Sequence, residues 1–358
     1  MRARAVAIAR ASAMACAVTC AVTAVQAVTL TATYVTAPEA RGPRRGVVVV
    51  ERADADAAKT GDADARGASS SVKAVKTMSA VKAMMRRTSA RWMGQDARRE
   101  DEGGAARTRR RVVAFVTGDS TACGVGCESA YDGETDGAAR RFLGPTLART
   151  FAASVSESLR ADVEWRALGF KGADVRGLRD KLIPALREAM RGDSEDGSMT
   201  SGTTPDAVVI MCGINDAKHS VVGRTSANFR SELSELVKEV RAVVGDECVV
   251  VLPATPIEVA TLFPPPLAWV ATRMNDLWDE QKAHVSALTK NVVFVTKPSL
   301  DSLRQSASKA TGRVADTITL ICGDGIHPND VGYDAWARHI ADACVPSLRR
   351  ALAEGESP

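Results

Sequence analysis

From residue 112 onward, short apolar runs alternate with longer segments whose apolar positions recur at helical spacing. The runs cover 112–116, 163–168, 207–211, 248–252 and 292–295, are rich in β-branched residues, and soon meet Gly, Pro or Thr. A continuous apolar run bounded by such residues reads as a strand buried on both faces. The periodic segments between them predict helices at about 138–160, 174–190, 226–244, 267–289 and 329–353. Strands that alternate with helices predict an α/β domain, a five-stranded parallel sheet covered by helices on both faces, over residues 112–354. Residues 191–206 are polar and rich in Gly and Ser, and read as an exposed loop. No internal repeat is visible.

The first third has a different texture. Residues 1–10 hold Arg2, Arg4 and Arg10 and no acid, and residues 11–38 are uncharged and dominated by Ala, Val and Thr. A positive start before an uncharged run is the pattern of a secretory signal or membrane anchor, with cleavage permitted after Ala27, and it also fits a plastid or mitochondrial transit peptide. The expected location is therefore a membrane or the secretory pathway, with an organelle as the alternative. Residues 39–111 read as a basic, largely disordered linker. Within it, Val72, Val75, Met78, Val81, Met85 and Trp92 recur at mostly helical spacing among six Lys and Arg. That pattern predicts an amphipathic helix over 72–92, lying either on an anionic membrane or against its own domain.

Composition narrows the function classes. With 45% hydrophobic and 25% charged residues, the 358-residue chain has globular proportions, which excludes wholesale disorder. Only one stretch is long and uncharged enough to span a bilayer, which excludes a polytopic membrane protein. Eight Cys are too sparse for a disulfide scaffold. The net charge of +4 hides an asymmetry. Residues 1–111 carry 21 Lys and Arg against 10 Asp and Glu, whereas residues 112–358 carry 26 against 33. An acidic folded part argues against a nucleic-acid partner.

Candidate chemistry sits just after successive strands, where α/β folds place their sites. Gly118-Asp119-Ser120 follows the first run, and a Ser there would expose its hydroxyl at the sheet edge. A serine nucleophile needs a base, and the base needs an orienting carboxylate. Asp324 and His327, three residues apart in one loop, can supply both. His219, His284 and His339 lie in a polar loop or helical segments and read as surface or packing residues. Gly213-Ile214-Asn215-Asp216 follows the third run, where the Asn215 amide could donate to an oxyanion. Gly169-Phe170-Lys171-Gly172 follows the second, and Gly lets a backbone N–H approach a ligand closely. Cys123, Cys127, Cys212 and Cys322 adjoin these blocks and read as buried inert thiols. No metal-ligand spacing is present, and neither a metal nor a cofactor is expected.

The ordered blocks GDSTACGVG (118–126), LGFKGADV (168–175), CGINDA (212–217) and DGIHPNDVGYDAWA (324–337) resemble those of the SGNH, or GDSL-type, hydrolases. The resemblance covers residues 112–350. It implies a three-layer α/β/α sandwich of flavodoxin-like type and metal-free ester hydrolysis. By the same resemblance Ser120 is the nucleophile, His327 the general base and Asp324 the orienting acid. The oxyanion hole is then Ser120 N–H, Gly172 N–H and the Asn215 amide, with Gly169 as the alternative to Gly172. Thr121 departs from the family's usual Leu after the nucleophile.

The implied substrate is a small-molecule or lipid ester, acyl or acetyl, with lysophospholipid-like esters favoured by the basic, apolar N-terminal third. Acyl or acetyl transfer, carbohydrate O-acetyl ester hydrolysis, and a tethered domain that only binds are the alternatives. The stretch 253–269, with Pro264, Pro265 and Pro266 beside Phe263 and Trp269, reads either as a wall of the acyl pocket or as a rigid connector. A monomer is expected, with membrane association through the N-terminal segment.

Overall fold

The computed structural model describes residues 45–48, 111–127, 144–191 and 204–355. Its strands are β1 (Arg45–Val48), β2 (Arg111–Gly118), β3 (Asp162–Gly169), β4 (Ala207–Met211), β5 (Val249–Pro253) and β6 (Val292–Val295). Its helices are α1 (Ser120–Cys123), α2 (Thr146–Leu159), α3 (Val175–Arg191), α4 (Ile214–Lys218), α5 (Ser226–Val244), α6 (Leu267–Leu288), α7 (Leu300–Thr311) and α8 (Asp330–Glu354).

The sheet order is β1-β3-β2-β4-β5-β6. Strands β2 to β6 pair in parallel throughout, as the apolar runs predict. Successive side chains of a strand face opposite sides of a sheet, and the core divides accordingly. Val112, Ala114 and Val116 of β2 join Leu147 and Phe151 of α2 and Tyr333, Trp336 and Leu348 of α8. Val113 and Phe115 join Leu178 and Leu182 of α3, Phe229 and Leu233 of α5 and Trp278 of α6 on the other face. The result is a three-layer α/β/α sandwich. Each helix shows one apolar stripe to the sheet, which is why its sequence reads at helical period.

Two elements depart from the sequence reading. Strand β1 pairs antiparallel with β3, from Arg45 opposite Arg166 to Val48 opposite Val163. Reading 39–111 as a linker omitted it, because four residues give too short a signal and the partner strand lies far downstream. Helix α7 was also missed. Ser299 caps it by accepting from Ser302 N at 3.1 Å, but only Leu303 and Ala307 are buried, which leaves little periodicity to read.

Among the described residues no helix is long and apolar enough to cross a membrane. Residues 1–38, the helix expected over 72–92 and most of the loop expected over 191–206 lie outside the described residues.

Candidate active site

The C-terminal ends of β2, β3 and β4 meet at one edge of the sheet. As β2 ends, Asp119 N donates to the Met211 carbonyl of β4 at 3.0 Å. The Asp119 carboxylate then caps α1, accepting from Thr121 N at 2.9 Å and Thr121 Oγ1 at 2.7 Å. Ser120 is thereby fixed as the first residue of a single helical turn. Asp119 is fully buried, and burial pushes its carboxyl above the usual range against these hydrogen bonds. The sequence reading expected the Ser120 side chain to be exposed. Instead Ser120 is only 1% exposed, because the His327 loop closes over it.

That loop is built to hold an imidazole. An antiparallel bridge between Ile321 and Pro328 pinches its base, and Cys322 N donates to the His327 carbonyl at 2.9 Å. Asp324 Oδ1 accepts from Ile326 N at 2.8 Å and His327 N at 2.9 Å. Asp324 Oδ2 is left for His327 Nδ1, at 2.5 Å. On the far side of the ring, His327 Nε2 lies 3.0 Å from Ser120 Oγ. All three side chains are buried. Burial raises the Asp324 pKa, but the hydrogen bonds from the His327 ring, the two N–H groups and Cys322 outweigh it and hold the carboxyl at about 2. Asp324 is therefore ionised and oriented toward Nδ1, which leaves Nε2 facing the serine hydroxyl. A Cβ on Gly126 would lie 2.3 Å from the Pro328 carbonyl, so only glycine lets the two loops close this far.

The other two predicted pieces follow β3 and β4, the strands on either side of β2. Gly172 has a left-handed φ of 76° in the turn between β3 and α3. Gly169 contributes to packing instead. A Cβ there would lie 2.4 Å from Cys123 N, so its bareness lets β3 pack against α1. Asn215 is buried on α4, where one of its two amide N–H groups bonds the Ala173 carbonyl at 3.0 Å. Asp216 beside it accepts from Val175 N at 3.1 and 3.2 Å.

Three supporting residues had no signal in the sequence. Arg224 bonds Asp174, Asp216 and Glu232. It is one of 47 basic residues, and its partners converge only in the fold. Lys282 of α6 is wholly buried below the Asn215 loop, where a Cβ on Gly213 would lie 3.2 Å from its Cε. Thr117 Oγ1 donates to the Val209 carbonyl at 2.9 Å and joins β2 to β4 just below the site.

The six cysteines among the described residues are buried. Burial pushes the Cys127, Cys212 and Cys344 thiols up to about 12, so they stay protonated. Among the described residues no group of three or more His, Cys, Asp or Glu side chains is placed to hold a metal ion.

The sequence model of the GDSL-like lipase/acylhydrolase family matches residues 116–335. Among solved structures, the acetylxylan esterase Axe2 of Geobacillus stearothermophilus is 17% identical, at a TM-score of 0.39, over 65% of this chain and 94% of that one. A family 3 carbohydrate esterase of Clostridium thermocellum is 16% identical, at 0.40, over 67% and 98%. A putative GDSL-like lipase of Parabacteroides merdae is 18% identical, at 0.38, over 65% and 95%. A comparison with curated proteins found no match.

Proposed function

Because the chain belongs to the GDSL-like lipase/acylhydrolase family and is a carboxylic ester hydrolase, we propose that Ser120, His327 and Asp324 cleave its ester through a covalent acyl-enzyme. The observation that carries this reading is the unbroken chain Asp324 Oδ2, His327 Nδ1, His327 Nε2, Ser120 Oγ, at 2.5 and 3.0 Å. Ser120 Oγ attacks the ester carbonyl carbon while its proton passes to Nε2. The imidazolium that forms is stabilised by the ionised Asp324, which the loop has already aligned. Negative charge on the carbonyl oxygen is met by the Ser120 N–H, the Gly172 N–H and the second N–H of the Asn215 amide. Collapse of the tetrahedral intermediate breaks the C–O bond, and the imidazolium protonates the departing alcohol. Water then repeats the sequence and releases the acid.

The ester is an acyl ester of lipid-like character in this reading. Thr261 N and Leu262 N both donate to the Gly325 carbonyl, at 2.8 and 2.9 Å, so an apolar segment borders the acid–base loop. It continues through Phe263 and the three prolines to Trp269, which is 68% exposed. An acyl chain carried on Ser120 Oγ would run along these side chains. The test is a series of p-nitrophenyl esters from acetyl to lauroyl, with lysophosphatidylcholine and acetylated xylan alongside. Rates rising with chain length support the lipid-like reading; preference for acetyl esters and xylan would replace it with O-acetyl ester hydrolysis. Product analysis with an alcohol present separates hydrolysis from transfer.

A further inference from the structure

The loops that carry Gly172 and Asn215 start from strands that do not pair with each other. Strands β3 and β4 lie on opposite sides of β2. Neighbouring strands are about 4.8 Å apart, so these two loops spring from points roughly 10 Å apart. No sheet hydrogen bond fixes their separation, yet an oxyanion hole needs donors held to within about 0.5 Å. The separation must be set above the sheet edge, by contacts between the loops themselves.

Those contacts are few and specific. Asn215 Nδ2 reaches the Ala173 carbonyl, and Asp216 accepts from Val175 N. Beside a half-exposed contact of His219 with Asp174, the remaining link among the described residues is a guanidinium. Arg224 stands in the turn before α5, its side chain 7% exposed. One nitrogen, Nη1, bonds Asp174, two residues beyond Gly172. The other, Nη2, lies 2.9 Å from Oδ1 of Asp216, the residue next to Asn215, and also bonds Glu232 of α5. We propose that Arg224 is a positioning residue that clamps the Gly172 loop to the Asn215 loop and so sets the spacing of the oxyanion donors; this rests on the esterase reading above.

The charge balance explains why the clamp has to be a guanidinium. Asp174, Asp216 and Glu232 converge on it. The other basic side chains facing them are Arg176, with Nε 2.5 Å from Glu232 Oε1, and His219, with Nδ1 3.2 Å from Asp174 Oδ2. Both are half-exposed or more, at 66% and 50% of the side chain. Among the described basic side chains only Arg224 reaches Asp216, which is wholly buried. Burial pushes the Asp216 carboxyl up to about 7, and the Val175 N–H and Arg224 oppose that rise. With Arg224 gone, the pKa of the buried Asp216 carboxyl would rise further and the group would take up a proton, and the charged link from Asp216 to the Asp174 loop would be lost. An ammonium in its place would be a point donor and could not grip both loops as a planar fork does.

The test uses the full chain with Arg224→Ala and Arg224→Lys, each checked for native circular dichroism. Arg224→Lys keeps the charge and the stem, and serves if Arg224→Ala does not fold. Two quantities are read. One is kcat and KM on the best p-nitrophenyl ester. The other is hydrogen exchange of the Asn215 side-chain amide, identified in the NMR spectrum by its disappearance in Asn215→Ala. The expected result is a fall in kcat of about 10- to 100-fold with KM within about twofold, and Asn215 amide exchange faster by about 10-fold or more. Unchanged Asn215 exchange in a folded variant overturns the proposal, as does unchanged kcat. If exchange quickens in the variants while the wild-type chain hydrolyses no ester, the clamp stands and the esterase reading falls.

Discussion

The Lys282 ammonium lies 2.9 Å from the Asp279 carboxylate, and both side chains are buried. The same nitrogen donates to the Pro253 carbonyl at 2.8 Å, and Asn275 donates to Asp279 at 2.7 Å. Burial pulls the Lys282 pKa down, but Asp279 and the surrounding groups outweigh it and keep the ammonium charged. Removing one member of such a pair strands the other charge, at a cost of about 3–5 kcal/mol. Lys282→Ala should therefore lower stability by about that much in urea unfolding. Lys282→Met combined with Asp279→Leu should recover most of the loss. A single variant as stable as the wild type would mean that the pair contributes nothing to the fold.

Ser120→Ala should abolish ester hydrolysis and leave the melting temperature within a few degrees. The change removes one oxygen from a small side chain whose backbone is fixed by Asp119 and Gly124 rather than by its hydroxyl. A fluorophosphonate probe should label the wild type and not the variant. Wild-type turnover by purified Ser120→Ala would end its assignment as nucleophile.

Asn215→Ala should lower kcat by about 10²–10³ while KM changes little, because the amide is proposed to meet charge that develops only in the transition state. It also leaves the buried Ala173 carbonyl without its partner, so a stability loss of about 1–3 kcal/mol should accompany the kinetic one. A raised KM at unchanged kcat would assign Asn215 to ground-state binding instead.

Asp324 carries a sign that can be checked by titration. Its folded pKa of about 2 lies below the unfolded value of about 3.9. The carboxylate therefore adds stability above about pH 4, and this contribution is lost as pH falls through about 2. The stability gap between wild type and Asp324→Asn should be full at pH 5 and close toward pH 2. At neutral pH the variant should lose about 10⁴ in kcat, the scale seen when a triad carboxylate is neutralised in serine proteases. A gap that does not vary with pH would show that the carboxylate gains nothing from folding.

The five parallel strands were legible because a strand buried on both faces writes a continuous β-branched run. The contact between Asp324 and His327 was legible for a related reason: both stand in one short loop, so their spacing survives in the sequence. Ser120 could be located but not its burial, since the cover comes from a loop 207 residues away. Arg224, Asp174 and Asp216 were illegible as a group. Their relation is made by two turns and α4 meeting above the sheet, and no periodicity records such a meeting. Strand β1 fell below the reading for want of length.

We propose that residues 1–38 target the chain to a membrane or an organelle. A fluorescent fusion of that segment should be carried there, and a chain beginning at residue 39 should not. The shorter chain keeps β1, whereas a chain beginning at Arg111 leaves the edge of β3 bare. The Arg111 chain should melt lower and aggregate sooner, since an open edge is a template for pairing. Equal melting and solubility of the two would show that β1 is dispensable.

Strand β1 also gives the domain a polarity that its sequence order hides. Val48 pairs with Val163 near the start of β3, and Arg111 pairs with Asp162 at the same end. Val48 and Arg111 therefore both lie at the end of the sheet opposite the Ser120 turn. Arg45 pairs with Arg166, three residues before Gly169 at the other end of β3. A probe attached at Arg111 would therefore report from the end of the sheet opposite Ser120.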